Sequence, residues 1–461
     1  MIGDVKNRLA RPKRLRLSER EPVGPELIEY CLKHARRMAA RYRTLDNYYH
    51  NDTAVQRRIL PDPDKPNNRI SHGMAKYITK IATAYFMGQG IRYETGDAGY
   101  KKALDEILEA NATKIRHFEE AVEMSRQGVA YELLYIDRTG NLRTQSFSAN
   151  EMIPVFGDGI GQFLFMALRP YTYTSLQNRV FTEYVDIYTR ETVETWRRAA
   201  GGAWTKTDCR SHGFSDVPII IRMNNAEMKG DYEDILPQID AYDKAQSDTL
   251  NDLDYFTDAY LVLEGVDALV TENDKGEEVT GHQAARALKQ DRMINMPENG
   301  KAYFITKESN DTTAENYKNR IYRDIFTLAL VPNLTDEEFA GNLSGVAIKY
   351  KLFGLEELSA EKETYFTSSE MKKIRFITEY INILRGTSFD WREVKLKFDR
   401  SAVANTLEIA QIMNMLRDIL SDETLIGLFP EIEDAAEELK KRGQEQDARE
   451  NRELPDDGAF S

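Results

Sequence analysis

Apolar residues recur at three- and four-residue spacing from Pro25 onward, at Leu27, Ile28, Cys31, Leu32, Met38, Tyr42 and Leu45. That period belongs to a helix with one buried stripe, and Pro25 suits its first turn. The same spacing predicts helices at about 70–87, 97–111 and 114–128. The stretches PDPDKPNN and GQGIRYETGD between them are rich in turn residues.

The pattern then changes period. AYELLYID, LRTQSFSA, EMIPVF, FLFMALRP, TEYVDIYT and VPIIIRM are short β-branched and aromatic runs bounded by turns such as DRTGN, the signature of strands in a mixed or antiparallel region. Helices followed by a block of strands predict an α+β fold and argue against an alternating, doubly wound nucleotide-binding sheet.

Helical spacing returns at about 229 with DYEDILPQIDAYDKAQSDTLNDLDYFTDAYLVLEG. A segment of strand and turn character follows at about 262–309. A second helix is predicted at about 312–330, stopped by Pro332. VPNLTDEEFAGNLSG reads as a loop opening a long helix at about 346–384. WREVKLKF reads as a strand, and TLEIAQIMNMLRDIL and IEDAAEELKKRGQEQDARE as helices fading into a polar tail. There is no internal repeat at a period of 20 to 50 residues.

Composition narrows the class. The 461 residues are 41 % hydrophobic and 30 % charged, which suits a soluble chain with more than one packed region. No run approaches the roughly 20 apolar residues of a membrane span, and the N-terminal MIGDVKNRLARPKRLRL lacks the apolar core of a secretory signal. A protein working in the cytoplasm, or in a particle assembled there, is expected. Cys31 and Cys209 are the two cysteines, too few for a disulfide framework or a thiolate metal site.

The formal charge of −14 opposes tight, sequence-independent binding to phosphates. The basic run Arg8, Arg11, Lys13, Arg14, Arg16 and Arg20 is expected to be a solvated arm.

Candidate chemistry is sparse. The six histidines, His34, His50, His72, His117, His212 and His282, form no HxH or HxxxH group. There is no GxxxxGK[ST] phosphate loop, so no ATP motor and no cofactor are indicated. Gly88 and Gly90 fit a helix end better than a phosphate cradle.

The acids Asp240, Asp243, Asp248, Asp252, Asp254 and Asp258 project onto one broad helical face, and Ile235, Ile239, Tyr242, Leu250 and Leu253 gather on the other. A solvated acidic face is the expectation, ahead of a two-metal site. A helix of about 30 residues would span about 45 Å. Several copies side by side would present DNA with a wall that repels phosphates. Lys318, Arg320 and Arg323 on the second helix would pair with neighbouring acids or touch DNA.

At these residues the chain resembles the portal proteins of tailed double-stranded DNA phages, the type found in long-tailed phages of Gram-positive bacteria. NRISHGMAKYITKIATAYFMGQGIRYE is similar to the family's opening helix and its Gly-x-x-Ile-x-Tyr turn, and FTDAYLVLEG to the passage from its first stem helix into the clip. VPNLTDEEFAGNLSGVAIKYKLFGLEELSAEKETYF resembles the tunnel loop running into the long wing helix. FDRSAVANTLEIAQIMNMLRDILSDETLIGLFPEIEDAAEEL resembles the strand and crown helices.

The resemblance implies a basic arm over 1–24, a wing over 25–230, stem helices over 231–260 and 312–330, and a clip over 261–311. It implies a tunnel loop over 331–345, the long wing helix and strand over 346–399, a crown over 400–445 and a disordered tail over 446–461. Leu334, Asp336, Glu337, Glu338, Phe339, Gly341, Asn342, Leu343, Ser344 and Gly345 would form the tunnel loop. Asp240, Asp243, Asp248, Asp252, Lys318, Arg320 and Arg323 would face the channel.

A structural, non-enzymatic ring follows from the resemblance, usually a dodecamer, at one capsid vertex of the virion. Duplex DNA would pass through it without sequence specificity. Its partners would be the large terminase, the head-tail adaptor, and scaffolding and major capsid proteins, with no membrane. Two other classes stay open: a metal-dependent nuclease using Asp248, Asp252 and Asp254, and a virion scaffold or adaptor lacking a DNA-sized channel.

Overall fold

The computed structural model describes residues 13–62, 65–161, 163–174, 181–256, 260–264, 270–272, 278–280, 301–305, 311–334, 345–400, 413–417, 419–427, 432 and 435–453. The chain divides into two compact units, one of residues 1–46, 77–233 and 326–461, the other of 47–76 and 234–325. Helices and strands are both abundant, and the α+β expectation holds.

In the first unit, helix α1 (Pro25–Tyr49) lies against a six-stranded sheet. The strands are β1 (Leu15–Leu17), β5 (Ile153–Gly157), β6 (Leu164–Thr174), β7 (Phe181–Tyr188), β8 (Thr192–Ala199) and β9 (Thr205–Ser211), in the order β1-β5-β6-β7-β8-β9. β1 pairs parallel with β5, and the remaining neighbours are antiparallel. Alternate residues Met166 and Leu168, and Val185 and Ile187, turn inward with Trp196 onto Leu27, Ile28 and Cys31 of α1, as the two-residue strand period requires.

β1 corrects the solvated-arm expectation. Leu15 lies opposite Val155 and is buried, and the guanidinium of Arg14 sits over the Phe156 ring. Arg8 and Arg11 lie outside the described residues. β8 and β9, TVETWRRA and TKTDCRS, are strands that the apolar pattern does not predict. Every residue of β9 is exposed at the sheet edge, so it carries none of the apolar alternation by which strands are read.

The second sheet, in the order β10-β3-β4, joins β3 (Val129–Ile136), β4 (Leu142–Phe147) and β10 (Ile219–Met223), all antiparallel. β3 is covered on both faces. Val129, Tyr131 and Leu133 pack with Met38 and Tyr42, while Leu134 meets Tyr100 and Leu104 of α3 (Ala98–Ala110) and Ile374, Ile377 and Ile381 of α7 (Gly345–Arg385). Burial on both sides explains its nearly continuous apolar run.

Two further helices lead into this sheet. α2 (Met74–Met87) ends before Gly90, whose φ of +82° bears out the helix-end reading, and the chain continues into β2 (Ile91–Glu94). β2 pairs antiparallel with β15 (Lys395–Phe398). α4 (Thr113–Gln127) closes on Gly128 at φ +85°, and a Cβ there would fall 2.0 Å from the carbonyl oxygen of Met228. Only glycine fits that turn.

In the second unit, α5 spans Leu236–Phe256 and is shorter than expected. Tyr260–Glu264 (YLVLE), expected to continue it, is strand β11, paired with β14 (Lys301–Ile305). Aromatic and β-branched residues favour that pairing. β12 (Val270–Glu272) pairs with β13 (Glu278–Thr280).

α6 (Asp311–Ala329) is followed by Leu330 at φ +57°, so it stops before Pro332. α7 is 41 residues long, about 60 Å. α8 (Asp422–Ile426) and α9 (Ala435–Glu453) close the described chain. α9 carries helix through 446–453, part of the tail expected to be disordered.

Candidate functional site

The acids of α5 are placed differently from the solvated face the sequence suggests. Tyr48 donates to both carboxylate oxygens of Asp240, at 2.7 Å each. Asp243 is fully buried. It accepts from Thr53 Oγ1 at 2.8 Å and from the His72 backbone at 3.2 Å, and His72 Nδ1 lies 3.0 Å away.

Farther along α5, Arg58 pairs with Asp248 at 2.5 Å, Asn68 Nδ2 donates to Asp254, and Ser247 Oγ accepts from the Ile70 backbone at 2.9 Å. The segment around 66–72 has no regular structure of its own. The backbone donors of Asn68, Ile70 and His72 are satisfied instead by Asn251, Ser247 and Asp243 on the polar face of α5, which is how an irregular stretch avoids unpaired donors.

The channel-facing assignment is therefore corrected at Asp243, whose carboxylate is enclosed, and at Asp240, which is engaged by Tyr48. Burial raises the pKa of both above the usual carboxylate range, against the hydrogen bonds they accept. Asp248 keeps about half of its side chain exposed, and Asp252 is exposed.

On α6, Lys318 is buried and paired with Glu315 one turn earlier, whereas Arg320 and Arg323 are exposed. The helices α5 and α6 meet at Tyr242 and Tyr322, with ring centroids 5.6 Å apart. The nuclease grouping fares poorly, because Asp248 and Asp254 are already engaged by Arg58 and Asn68.

Of the expected tunnel loop, Leu334 is half-exposed and its backbone N–H donates to Tyr77 Oη at 3.2 Å, and Gly345 opens α7. Asp336, Glu337, Glu338, Phe339, Gly341, Asn342, Leu343 and Ser344 lie outside the described residues. Just after this stretch, Val346, Tyr350 and Phe353 form an apolar row at four- and three-residue spacing, exposed by 56 %, 78 % and 62 %. They lie on neighbouring turns of one helix side.

A second polar centre, not anticipated from the sequence, holds α7 in the first unit. Arg222 of β10 lies 3.1 Å from Glu120 of α4, 2.8 Å from Glu132 of β3 and 2.5 Å from Glu370 of α7, and its guanidinium stacks on Phe366 at 4.3 Å. Lys373 lies 2.7 Å from Glu132 as an ion pair rather than an aligned hydrogen bond. His117, Tyr93 and Ser146 complete the shell.

His117, Glu120 and Glu132 bring ligand-type atoms within 4.8 Å of one another. Arg222 and Lys373 already supply the positive charge there, so the group does not call for a metal. One signal is present in the sequence: Arg222 interrupts the apolar run VPIIIRM, and a charge in a buried strand needs partners.

A family profile described as Phage portal protein, SPP1 Gp6-like, matches residues 28–452. The chain belongs to this family of structural virion proteins. It is 26 % identical over 412 residues to the portal protein of Bacillus phage SPP1, covering 86 % of this chain and 78 % of that protein. It is 22 % identical over 428 residues to the portal protein of Clostridium phage phiCD119, covering 86 % of this chain and 90 % of that protein. Its function is that of a phage portal protein, a component of the capsid. Among the described residues no helix is long and apolar enough to cross a membrane.

Proposed function

We propose that the chain assembles into a closed ring, a dodecamer, at one capsid vertex. Duplex DNA passes through it without sequence-specific contacts during packaging and ejection. The family match along nearly the whole chain carries this reading. The exposed row Val346, Tyr350 and Phe353 supports it, because apolar side chains in register on one helix side suit burial against a second copy.

The ring is passive in this account. Asp252, Arg320 and Arg323 are exposed charges of both signs on α5 and α6, and they face the channel. A mixed lining offers phosphates no continuous positive track, so adhesion stays weak. Residues 331–345 take the part of the family's tunnel loop, and 261–311 that of the clip that docks the large terminase and later the head-tail adaptor. Scaffolding and major capsid proteins meet the outer surface. Assembly takes place in the host cytoplasm, and the terminase supplies the energy.

Native mass spectrometry of the purified chain, with class averages of negatively stained particles, tests the assembly. Closed dodecameric rings with a central hole are expected. A monomer or dimer persisting across salt and concentration, and in the presence of the phage's scaffolding protein, would overturn the reading.

A further inference from the structure

The buried centre around Arg222 is unbalanced in charge. Glu120, Glu132 and Glu370 contribute three carboxylates, Arg222 and Lys373 two cations, and all five side chains are out of solvent. With His117 neutral, one negative charge has no counter-charge. An uncompensated charge in such a place is costly, and a buried acid escapes that cost by taking up a proton.

We propose that this centre is a binding site for one exchangeable proton, held on the carboxyl of Glu120, and that the proton fastens the middle of α7 to α4 and the β10-β3-β4 sheet. The surroundings distinguish Glu120 from its two neighbours. Glu370 receives Arg222 at 2.5 Å and Tyr93 Oη at 2.7 Å, with His117 Nε2 at 3.3 Å. Glu132 receives both Arg222 and Lys373. Among the described residues, the polar contacts of Glu120 are the longer one to Arg222, at 3.1 Å, and the neutral hydroxyl of Ser146 at 2.6 Å.

That hydroxyl can reverse its role and accept a hydrogen bond from the protonated Oε1 of Glu120, which leaves Oε2 free to receive Arg222. The remaining groups facing the centre are Ser369, which bonds Arg222, and the Phe366 ring beneath it.

The pKa directions agree with this geometry. Burial and the nearby Glu132 push Glu120 up to about 7. The cations around Glu132 and Glu370 hold those two below the usual carboxylate range, against the cost of burial. Burial lowers His117, which is neutral in the folded state at neutral pH. A Glu raised on folding stabilises fully below its unfolded value, and that contribution is lost as pH rises through about 7. His117 acts in the opposite sense below about pH 6.5, so the clean window lies above that value.

Glu120→Gln copies the protonated acid, with an amide toward Ser146 and an oxygen toward Arg222. Thermal unfolding of the full-length chain between about pH 6.5 and about pH 8.5 should show the wild type losing about 1 °C relative to the variant. Equal pH dependence of the two would overturn the proposal. If the variant does not fold, infrared spectra of the wild type in deuterated buffer decide. A protonated-carboxyl band that fades across the same window is expected, and its absence at the acid end overturns the assignment.

Discussion

The ammonium of Lys362, in the middle of α7, lies 2.5 Å from the carboxylate of Asp231, just before the chain enters α5, and both side chains are buried. Asp231 also accepts from Ser125 at 2.6 Å and from Asn224 at 2.8 Å. The pair ties the long helix α7 to the segment that leads into α5.

The two halves of this pair are not equivalent. Lys362→Met leaves Asp231 with two neutral donors, whereas Asp231→Asn leaves an ammonium buried without its counter-charge. Breaking a buried pair costs about 3–5 kcal/mol. Chemical denaturation should place Asp231→Asn at the upper end of that range and Lys362→Met at the lower end. The reverse order would mean that the lysine, not the carboxylate, is the better solvated partner.

The helices and most strands are legible in the sequence because their apolar periods are set by local packing. Legibility ends where a residue's partner lies far along the chain. Asp243 and Thr53 are 190 residues apart, and Lys373 and Glu132 come from different elements. On a helical projection these charges look solvated, since a period reports which residues share a face and not what covers that face. β9 escapes for the converse reason: an exposed edge strand buries nothing and so shows no alternation. The resemblance supplies the family, which neither period nor charge would reach.

Asp243 and Asp252 sit on the same helix and make opposite predictions. Asp243→Ala strands Thr53 Oγ1 and the His72 backbone donor, each unpaired buried group costing about 1–3 kcal/mol. Limited proteolysis should then cut faster within residues 50–72. Asp252→Ala, at an exposed position, should change stability by less than about 0.5 kcal/mol. Equal proteolysis of Asp243→Ala and wild type would show that the segment is held by other interactions.

Assembly is predicted to depend on Tyr350 and Phe353. Both are exposed in the single chain, so Tyr350→Glu with Phe353→Glu should leave the fold and its unfolding transition nearly unchanged. In a ring interface, two buried charges without partners would cost several kcal/mol at each subunit boundary. Mass photometry should show rings replaced by smaller species. Intact rings of unchanged stability would place this row away from the subunit boundary.

The two exposed arginines of α6 offer a test that separates assembly from DNA handling. Arg320 and Arg323 are exposed on α6, while Lys318 on the same helix is consumed by Glu315. Arg320→Ala with Arg323→Ala should therefore form rings of unchanged subunit number. Removing one cation from a phosphate lowers the slope of log affinity against log salt by about 0.9. If both arginines meet phosphates, DNA binding by purified rings should lose salt dependence by about twice that amount per subunit engaged, and filled capsids should retain their genome differently. Lys318→Ala removes a charge that points away from solvent, so it should alter helix stability and leave the salt slope as it was. Unchanged slope and retention in the double arginine variant would take these residues out of the channel and leave Asp248 and Asp252 as the remaining candidates among the described residues of the two helices.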